Sequence, residues 1–296
     1  MKKWMSLVPA ALMLAALLAG CAQPAAIQPD PTEAPAAETA PATEPEAPAE
    51  AAEPAELIVF AAASMTESMN KIAGMYQEVA PNVTLTFNFD SSGTLKTQIE
   101  EGADCDLFIS AAQKQMNQLD ASRDAEANPD GLDFVLQGTR TDLVGNAVVM
   151  IVPEDSQKDI ADFEDVLTDQ VELVALGNSD VPVGQYSEEI YTSLGKWEEL
   201  KASGKVTYGS NVKEVLALVS EAAVDCGIVY STDAATAQGV RIVASAPAGS
   251  HKAITYPAAV LNTTKNRVAA EAFLAYLQTD ACAKVFTDIG FVIPAR

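Results

Sequence analysis

Four turns that join a predicted strand to the helix after it hold the residues best placed for binding chemistry. Ser64, Ser92, Val183 and Val212 lie at these turns. In an open α/β sheet, such turns face the ligand crevice at the carboxyl ends of the strands. The first turn of a helix exposes unpaired N–H groups and carries the positive end of the helix dipole. Four converging turns of this kind would bind an anion without a cationic side chain.

Each position also has an ordinary structural interpretation. Ser64 and Glu67 match the S-x-x-E capping box, in which the serine hydroxyl only satisfies the helix's own amide. The remaining candidates fit a helix start or core packing equally well: Ser92, Val183, Val212 and Tyr230. No single motif is therefore specific by itself.

Strand-like and helix-like segments alternate along residues 57–296, which is the pattern of a parallel sheet with helical crossovers. The predicted strands cover residues 57–61, 83–89, 106–109, 147–152, 172–176, 205–208, 227–230 and 254–261. The predicted helices cover residues 64–79, 94–99, 162–167, 185–194, 212–222, 267–277 and 280–289. This length and alternation favour two doubly wound lobes that share a ligand cleft.

The first 20 residues have the pattern of an export signal. Met1-Lys2-Lys3 precedes an uncharged apolar run, and Leu18-Ala19-Gly20-Cys21 resembles the cleavage box of bacterial lipoproteins. We therefore expect residues 1–20 to be a lipoprotein signal peptide and Cys21 to carry the lipid. The alternative is an uncleaved anchor helix, and both place the remaining chain outside the cytoplasm.

Residues 21–56 are predicted to form a disordered, Pro/Ala/Glu-rich stalk behind the lipidated cysteine. Residues 22–56 contain eight prolines and eight acidic residues but no Lys or Arg. Such a composition cannot bury a core, and proline with like charges favours an extended chain.

The charge of the folded part limits its partners. The chain has a formal net charge of −23; the leader contributes +2 and the stalk −8, so residues 57–296 carry −17. This argues against nucleic acid and anionic lipid as partners. The net negative charge would repel an anionic ligand, so local dipoles would have to hold it.

Metal and catalytic signatures are weak. His251 is the one histidine, so a site with several histidine ligands is impossible. Cys105, Cys226 and Cys282 allow at most one disulfide within the folded part, and buried free thiols are the simpler interpretation. A hydrolase that uses Ser64 with His251 stays an alternative, and it requires the two side chains to lie within hydrogen-bond reach.

A longer pattern resembles the molybdate-binding proteins of bacterial ABC transporters. The segments VFAAAS (59–64) and FDSSGTL (89–95) match that family, as do later segments in the same order. These are GAD (102–104), DLFISA (106–111), VPVGQY (181–186), ALV (217–219), GIVY (227–230) and YPAAV (256–260). The resemblance covers nearly all of residues 57–296.

The resemblance implies a type II periplasmic-binding-protein fold, an α/β fold with a doubly wound, mainly parallel sheet in each lobe. One lobe would comprise residues 57–143 and 250–296, and the other residues 144–249, with the ligand cleft between them. By the same resemblance, Ser64 and Ser92 would offer a hydroxyl and a backbone N–H, Val183 and Val212 a backbone N–H, and Tyr230 its phenol. The implied ligand is molybdate or tungstate, bound through its oxygens without cofactor or metal ligands. The implied partner is the permease of an ABC importer, and the protein itself would be a monomer anchored to the cell membrane.

Two residues depart from the family pattern. Asp90, just before the serine pair, places a carboxylate where a small neutral residue is expected, and Val183 replaces a smaller residue. A carboxylate aimed at a dianion would repel it, unless it points away or accepts the proton of a phosphate. Sulfate and phosphate therefore stay as alternative ligands, and a surface interaction module on a stalk stays as an alternative function.

Overall fold

The computed structural model describes residues 53–294. The predicted signal peptide, Cys21 and the predicted stalk up to residue 52 lie outside these residues. Within the described part of the chain, no helix has the length and apolarity that a bilayer span requires.

Strands and helices alternate over most of this length. The strands are β1 (Ala55–Ala62), β2 (Val83–Asp90), β3 (Leu107–Ile109), β4 (Thr141–Asn146), β5 (Val148–Pro153), β6 (Val174–Gly177), β7 (Val206–Gly209), β8 (Cys226–Tyr230), β9 (Val240–Ser245) and β10 (Ile254–Val260). The α-helices are α1 (Thr66–Val79), α2 (Ser92–Glu100), α3 (Gln113–Gln118), α4 (Pro182–Ser193), α5 (Trp197–Ala202), α6 (Val212–Ser220), α7 (Ser231–Thr236), α8 (Arg267–Leu277) and α9 (Asp280–Ile289). Two 3₁₀-helices cover Ala63–Met65 and Phe163–Leu167.

The strands form two five-stranded sheets with the same plan. The first has the order β2-β1-β3-β10-β4 and the second β7-β6-β8-β5-β9. In each sheet the first three strands are parallel, and the last two pair antiparallel. We call the half built on the first sheet lobe 1 and the half built on the second lobe 2. The predicted two-lobed α/β fold is confirmed. Both sheets are mixed, because β10 is antiparallel to β3 and β4 and β5 is antiparallel to β8 and β9.

The chain crosses between the lobes twice. Only Ala147 separates β4 in the first sheet from β5 in the second, and the return lies between Ser245 and Ile254. β4 continues in the first sheet to Asn146, beyond residue 143, where the sequence predicts the lobe to end. At the other end, β1 begins at Ala55, two residues inside the predicted stalk.

The central strands carry apolar residues on both faces because helices cover both sides of each sheet. Residues 59–63 of β1 and the following turn are all buried, and so is every residue of β8. Close packing of α4 on β6 depends on Gly184, where a Cβ would overlap the Gly177 carbonyl oxygen. Rigid strands thus deliver their carboxyl ends to fixed positions at the crevice.

Several short elements differ from the prediction or were missed. Residues 162–167 are predicted to be an α-helix, but Phe163–Leu167 is a 3₁₀-helix with a capping box formed by Asp162 and Asp165. The sequence analysis misses α3, β4, α5, α7 and β9, each of six residues. The three cysteines of the described chain are buried free thiols, in agreement with the simpler interpretation.

Candidate functional site

The five predicted contacts lie at helix starts or at a strand end. Ser64 is in the 3₁₀-turn before α1, Ser92 begins α2, Val183 is the second residue of α4, Val212 begins α6, and Tyr230 ends β8. All five are at most 4% exposed. We call these five residues the anion site. Two belong to lobe 1 and three to lobe 2, so a ligand that touched them all would join the lobes.

Contacts across the crevice bring these helix starts together. A Cβ at Gly93, in the first turn of α2, would overlap the carbonyl oxygen of Asp180, which lies just before α4. Asn211 Nδ2, at the start of α6, lies 3.2 Å from Asp90 Oδ1, at the end of β2. Glycine is required at position 93 because the opposite lobe occupies the space of a side chain. The two lobes are therefore in contact around the anion site.

Ser64 does not form the capping box. The starts of the 3₁₀-turn and of α1 have no side-chain cap. The Ser64 hydroxyl instead lies 2.8 Å from the hydroxyl of Tyr256, in β10. Glu67, the other half of the expected box, pairs with Lys213 of lobe 2 at 2.9 Å. The capping interpretation is therefore wrong, because the turn is 3₁₀ and both side chains have tertiary partners.

Ser91 and Ser92, at the start of α2, make different hydrogen bonds. Ser91 is the N-cap, and its hydroxyl accepts the N–H of Thr94 at 3.1 Å. Ser92 Oγ accepts the backbone N–H of Ala111 at 2.9 Å. Because the oxygen of Ser92 already accepts, its own hydrogen is available for a further acceptor.

Val183 and Val212 have apolar side chains, so only their backbone N–H groups, in the first turns of α4 and α6, could bind an anion. Asn211 caps α6 by accepting the N–H of Glu214 at 3.0 Å, and this leaves the first N–H groups of that helix for another acceptor. In α4, Pro182 occupies the first position, where its missing N–H costs nothing, and Val183 supplies the next N–H. Their apolar side chains pack in the core, as the ordinary interpretation predicts.

Tyr230 is buried at the end of β8 with its ring edge-on to that of Tyr256, at 5.9 Å between centroids. Its hydroxyl makes no hydrogen bond of acceptable geometry with the described residues. Burial raises the pKa of both tyrosines well above the ordinary value, so both are protonated at neutral pH. A buried, protonated and unpartnered phenol is a donor suited to an anionic ligand.

Sequence reasoning missed Tyr256 and Asn146. Tyr256 is fully buried, and Asn146 Nδ2 lies 3.1 Å from its hydroxyl. The signal was a polar aromatic residue in the otherwise small and apolar segment YPAAV. Asn146 gave no signal because its strand, β4, was not predicted.

The charged groups next to the anion site are paired with one another. Lys213 Nζ lies 2.9 Å from Glu67 of lobe 1 and 3.1 Å from the fully buried Asp233 of lobe 2. Burial raises the pKa of Asp233 to about 6, although the positive charge of Lys213 opposes the rise. We call Glu67, Lys213 and Asp233 the charged bridge.

Asp90 is engaged by donors from its own chain. Its Oδ1 accepts the Ser91 N–H at 2.7 Å as well as the Asn211 amide. This carboxylate oxygen is thus part of the contact between the lobes.

The geometry that the hydrolase alternative requires is not found in the described chain. Ser64 bonds to Tyr256, while His251 Nδ1 lies 2.7 Å from the carbonyl of Lys252. A cavity of about 770 Å³ does lie beside His251 and α4, but Lys114, Glu188, Glu189 and Lys252 line it with mixed charge. It therefore lacks the uniform donor character of the anion site.

Comparison with known proteins decides the family. The family of bacterial extracellular solute-binding proteins matches residues 57–292. The chain belongs to this family. YvgL of Bacillus subtilis, which carries the name of an ABC transporter substrate-binding lipoprotein, is 36% identical to this solute-binding protein over 236 residues, 79% of this chain and 85% of that protein. The molybdate-binding protein ModA of Haemophilus influenzae is 39% identical over 241 residues, 80% of this chain and 90% of that protein.

A solved structure supports the fold of this solute-binding protein. The periplasmic molybdate-binding protein of Azotobacter vinelandii superposes with a TM-score of 0.69 at 22% identity, covering 81% of this chain and 100% of that one. At that identity the likeness establishes the fold alone. It agrees with the two-lobed α/β architecture described above.

Proposed function

We propose that this solute-binding protein captures molybdate, and also tungstate, and delivers it to the permease of an ABC importer. The anion would contact the hydroxyls of Ser64, Ser92 and Tyr230 and the backbone N–H groups at Val183 and Val212. It would be bound through its oxygens, without a cofactor.

The observation that carries this proposal is the unpartnered hydroxyl of Tyr230, whose ring lies edge-on to Tyr256, the hydrogen-bond partner of Ser64. An unsatisfied buried polar group costs about 1–3 kcal/mol, and an anion oxygen removes that cost. The hydrogens of Ser64 and Ser92 and the helix-start N–H groups are donors of the same kind. A tetrahedral oxyanion without protons has acceptors only, which makes it the matching ligand.

The relatives support the choice among oxyanions. The Haemophilus influenzae and Azotobacter vinelandii proteins are both named for molybdate binding. Phosphate would need an acceptor for its remaining proton. Oδ1 of Asp90 accepts two hydrogen bonds from the protein, so only Oδ2 of this carboxylate could take that role, and Asp90→Ala tests it.

A thermal-shift panel on the soluble domain tests the function. We expect molybdate and tungstate to raise the melting temperature, since a ligand at 100 times its Kd stabilises the folded state by about 2.7 kcal/mol. Sulfate should act weakly, and phosphate and chloride should have no effect. A panel in which phosphate alone stabilises would replace molybdate with phosphate, and no response to any anion would favour the interaction module.

We further propose that Cys21 carries a lipid anchor that holds the protein, as a monomer, outside the cytoplasm at the membrane. The Leu18-Ala19-Gly20-Cys21 box supports this, and the name of YvgL describes a lipoprotein. Metabolic labelling with palmitate should mark the wild-type protein and not Cys21→Ala. Persistent labelling of the variant would remove the anchor assignment.

A further inference from the structure

The amide of Asn146 has one orientation, set by its neighbours. Asn146 ends β4, where the chain leaves lobe 1. Its Oδ1 accepts the backbone N–H of Ala147 at 2.9 Å and the hydroxyl of Ser231 at 3.0 Å. A backbone N–H can only donate, so the amide oxygen must face it. The amide nitrogen therefore faces the other way, toward Thr232 and Tyr256.

This orientation sets the direction of the next two hydrogen bonds. Asn146 Nδ2 lies 3.1 Å from the Tyr256 hydroxyl, and an amide nitrogen donates without accepting. Tyr256 thus accepts from Asn146, and its single hydrogen is free for its other neighbour, Ser64 Oγ, at 2.8 Å. If Ser64 donated instead, the Tyr256 hydrogen would have no acceptor of good geometry among the described residues, so the favoured direction has Ser64 accepting from Tyr256 and its own hydrogen left for a ligand.

Tyr230 is the other phenol near Tyr256, and, after burial, the contact between them contributes to the raised pKa of Tyr230. The rings lie edge-on, and the Tyr230 hydroxyl makes no acceptable hydrogen bond within the described residues. Ser64 and Tyr256 are 3% and 0% exposed, so bulk water has little access to either hydroxyl. Protein groups, and not water, therefore determine the direction of the two hydrogen bonds that run from Asn146 to Tyr256 and from Tyr256 to Ser64.

In both serines of the anion site the hydroxyl oxygen accepts a hydrogen bond from the protein and the hydroxyl hydrogen is left for a ligand, but the donors differ. The backbone N–H of Ala111 occupies an acceptor position of Ser92, and no side-chain substitution can remove it. For Ser64 the same task falls to the side chains of Tyr256 and Asn146. We propose that Asn146 and Tyr256 are positioning residues that hold the Ser64 hydroxyl as a donor to the bound oxyanion and thereby select anions that carry no proton.

The proposal rests on the proposed function and explains how the site discriminates. Molybdate, tungstate and sulfate dianions offer only acceptors, so they match a hydroxyl that is held as a donor. Hydrogen phosphate brings one O–H that needs an acceptor. If Ser64 were free to rotate, its oxygen could accept that proton, and the penalty against phosphate would shrink.

The test is Tyr256→Phe, which removes the hydroxyl and keeps the ring. Molybdate affinity is measured by calorimetry at pH 7.5, and phosphate affinity by competition against molybdate. We expect molybdate to bind about tenfold more weakly, as loss of a charge-assisted donor implies. The ratio of the phosphate to the molybdate Kd is only a lower limit in wild type, where phosphate is not detected, and it should become measurable and lie about tenfold or more below that limit in the variant. Equal weakening of both anions would show a merely structural role and overturn the proposal.

Tyr191→Phe is the matched control. Tyr191 is another fully buried tyrosine whose hydroxyl has no partner in the described chain, and it lies on α4 outside the anion site. It should leave both affinities and their ratio at wild-type values. A change of the ratio in this control equal to that in Tyr256→Phe would overturn the assignment to Tyr256.

Asn146→Ala, alone and combined with Tyr256→Phe, tests whether Asn146 acts on Ser64 through Tyr256. Asn146→Ala should change the Kd ratio in the same direction, and Asn146→Ala combined with Tyr256→Phe should change it no further than Tyr256→Phe alone. Additive effects would show that Asn146 does not act through Tyr256. If wild type binds molybdate and the ratio stays constant in every variant, the positioning role fails while the function stands. If wild type binds no oxyanion, both fail.

Discussion

Val212 and Lys213 are neighbours at the start of α6, yet they take part in two different kinds of interaction. Val212 belongs to the anion site, where its backbone N–H is the useful group and its side chain packs in the core. The side chain of Lys213 leaves that site and pairs with Glu67 and Asp233. One residue thus presents a neutral donor inward, and the next uses its full charge to connect the lobes.

Under the proposed function, this difference explains how a domain of charge −17 would hold an anion. Lys213, which follows Val212 in the chain, is matched by two carboxylates, so the charged bridge carries no surplus positive charge. Attraction must come from oriented N–H and O–H groups, which act at short range and depend on geometry. In the proposed function, neutral donors determine which anion fits, while the charged bridge is one of the contacts that join the lobes.

The largest effect should follow from breaking the charged bridge at its centre. Lys213→Met leaves the fully buried carboxylate of Asp233 without its counter-charge, and we expect the free energy of unfolding at pH 7.5 to fall by about 3 kcal/mol. Urea denaturation of the anion-free protein measures it. Glu67→Gln is the control: it removes only the more exposed partner and should change stability by less than about 1 kcal/mol.

The pH dependence of that loss identifies Asp233 as its source. The pKa of this acid in the folded protein is about 6, above its ordinary 3.8, because burial disfavours its charge. Its ionisation therefore destabilises the fold above pH 6, and this cost disappears as the pH falls through 6 toward 3.8. The groups that act on it are Lys213, Glu67, Tyr230 and Tyr256. The deficit of Lys213→Met should shrink between pH 8 and pH 5, and a constant deficit would assign it to lost packing.

Breaking the anion site should affect binding more than folding. Ser64→Ala and Ser92→Ala each remove a hydrogen bond to a charged ligand, worth about 1.5–3 kcal/mol, so molybdate should bind about ten- to a hundredfold more weakly. Calorimetry measures this. Val212→Ala keeps the backbone N–H and should bind nearly as wild type does. Two serine variants with wild-type affinity would return these residues to a structural role.

The same two regions differ in how far the sequence predicts them. Strands with buried residues on both faces, such as β1 and β8, and the helix starts after them follow from apolar runs and turn residues. These patterns point to four turns as candidates for the anion site, whereas Tyr230 and the binding role of all five residues come only from the family resemblance. The charged bridge could not, because Glu67 and Lys213 are 146 residues apart and look like solvated helix residues. Asn146 lies in a six-residue strand that no periodicity marks. Pairings that depend on how two lobes close are not encoded in local patterns.

The smallest effect should follow from Asp90, which lies between the two regions. It precedes the serine pair of the anion site, but one of its oxygens accepts from Ser91 N–H and from Asn211 across the crevice. If Asp90 belongs to the contact between the lobes, Asp90→Ala removes one partly buried interlobe hydrogen bond and should weaken molybdate binding by about tenfold at most. The order of ligands should stay molybdate and tungstate first, sulfate much weaker, phosphate undetected, because the donors of the anion site are untouched.

If Asp90 instead accepts the proton of a bound phosphate, wild type should bind phosphate tightly and the variant should lose it. Competition calorimetry at neutral pH distinguishes the two, since only the second role links Asp90 to the identity of the anion.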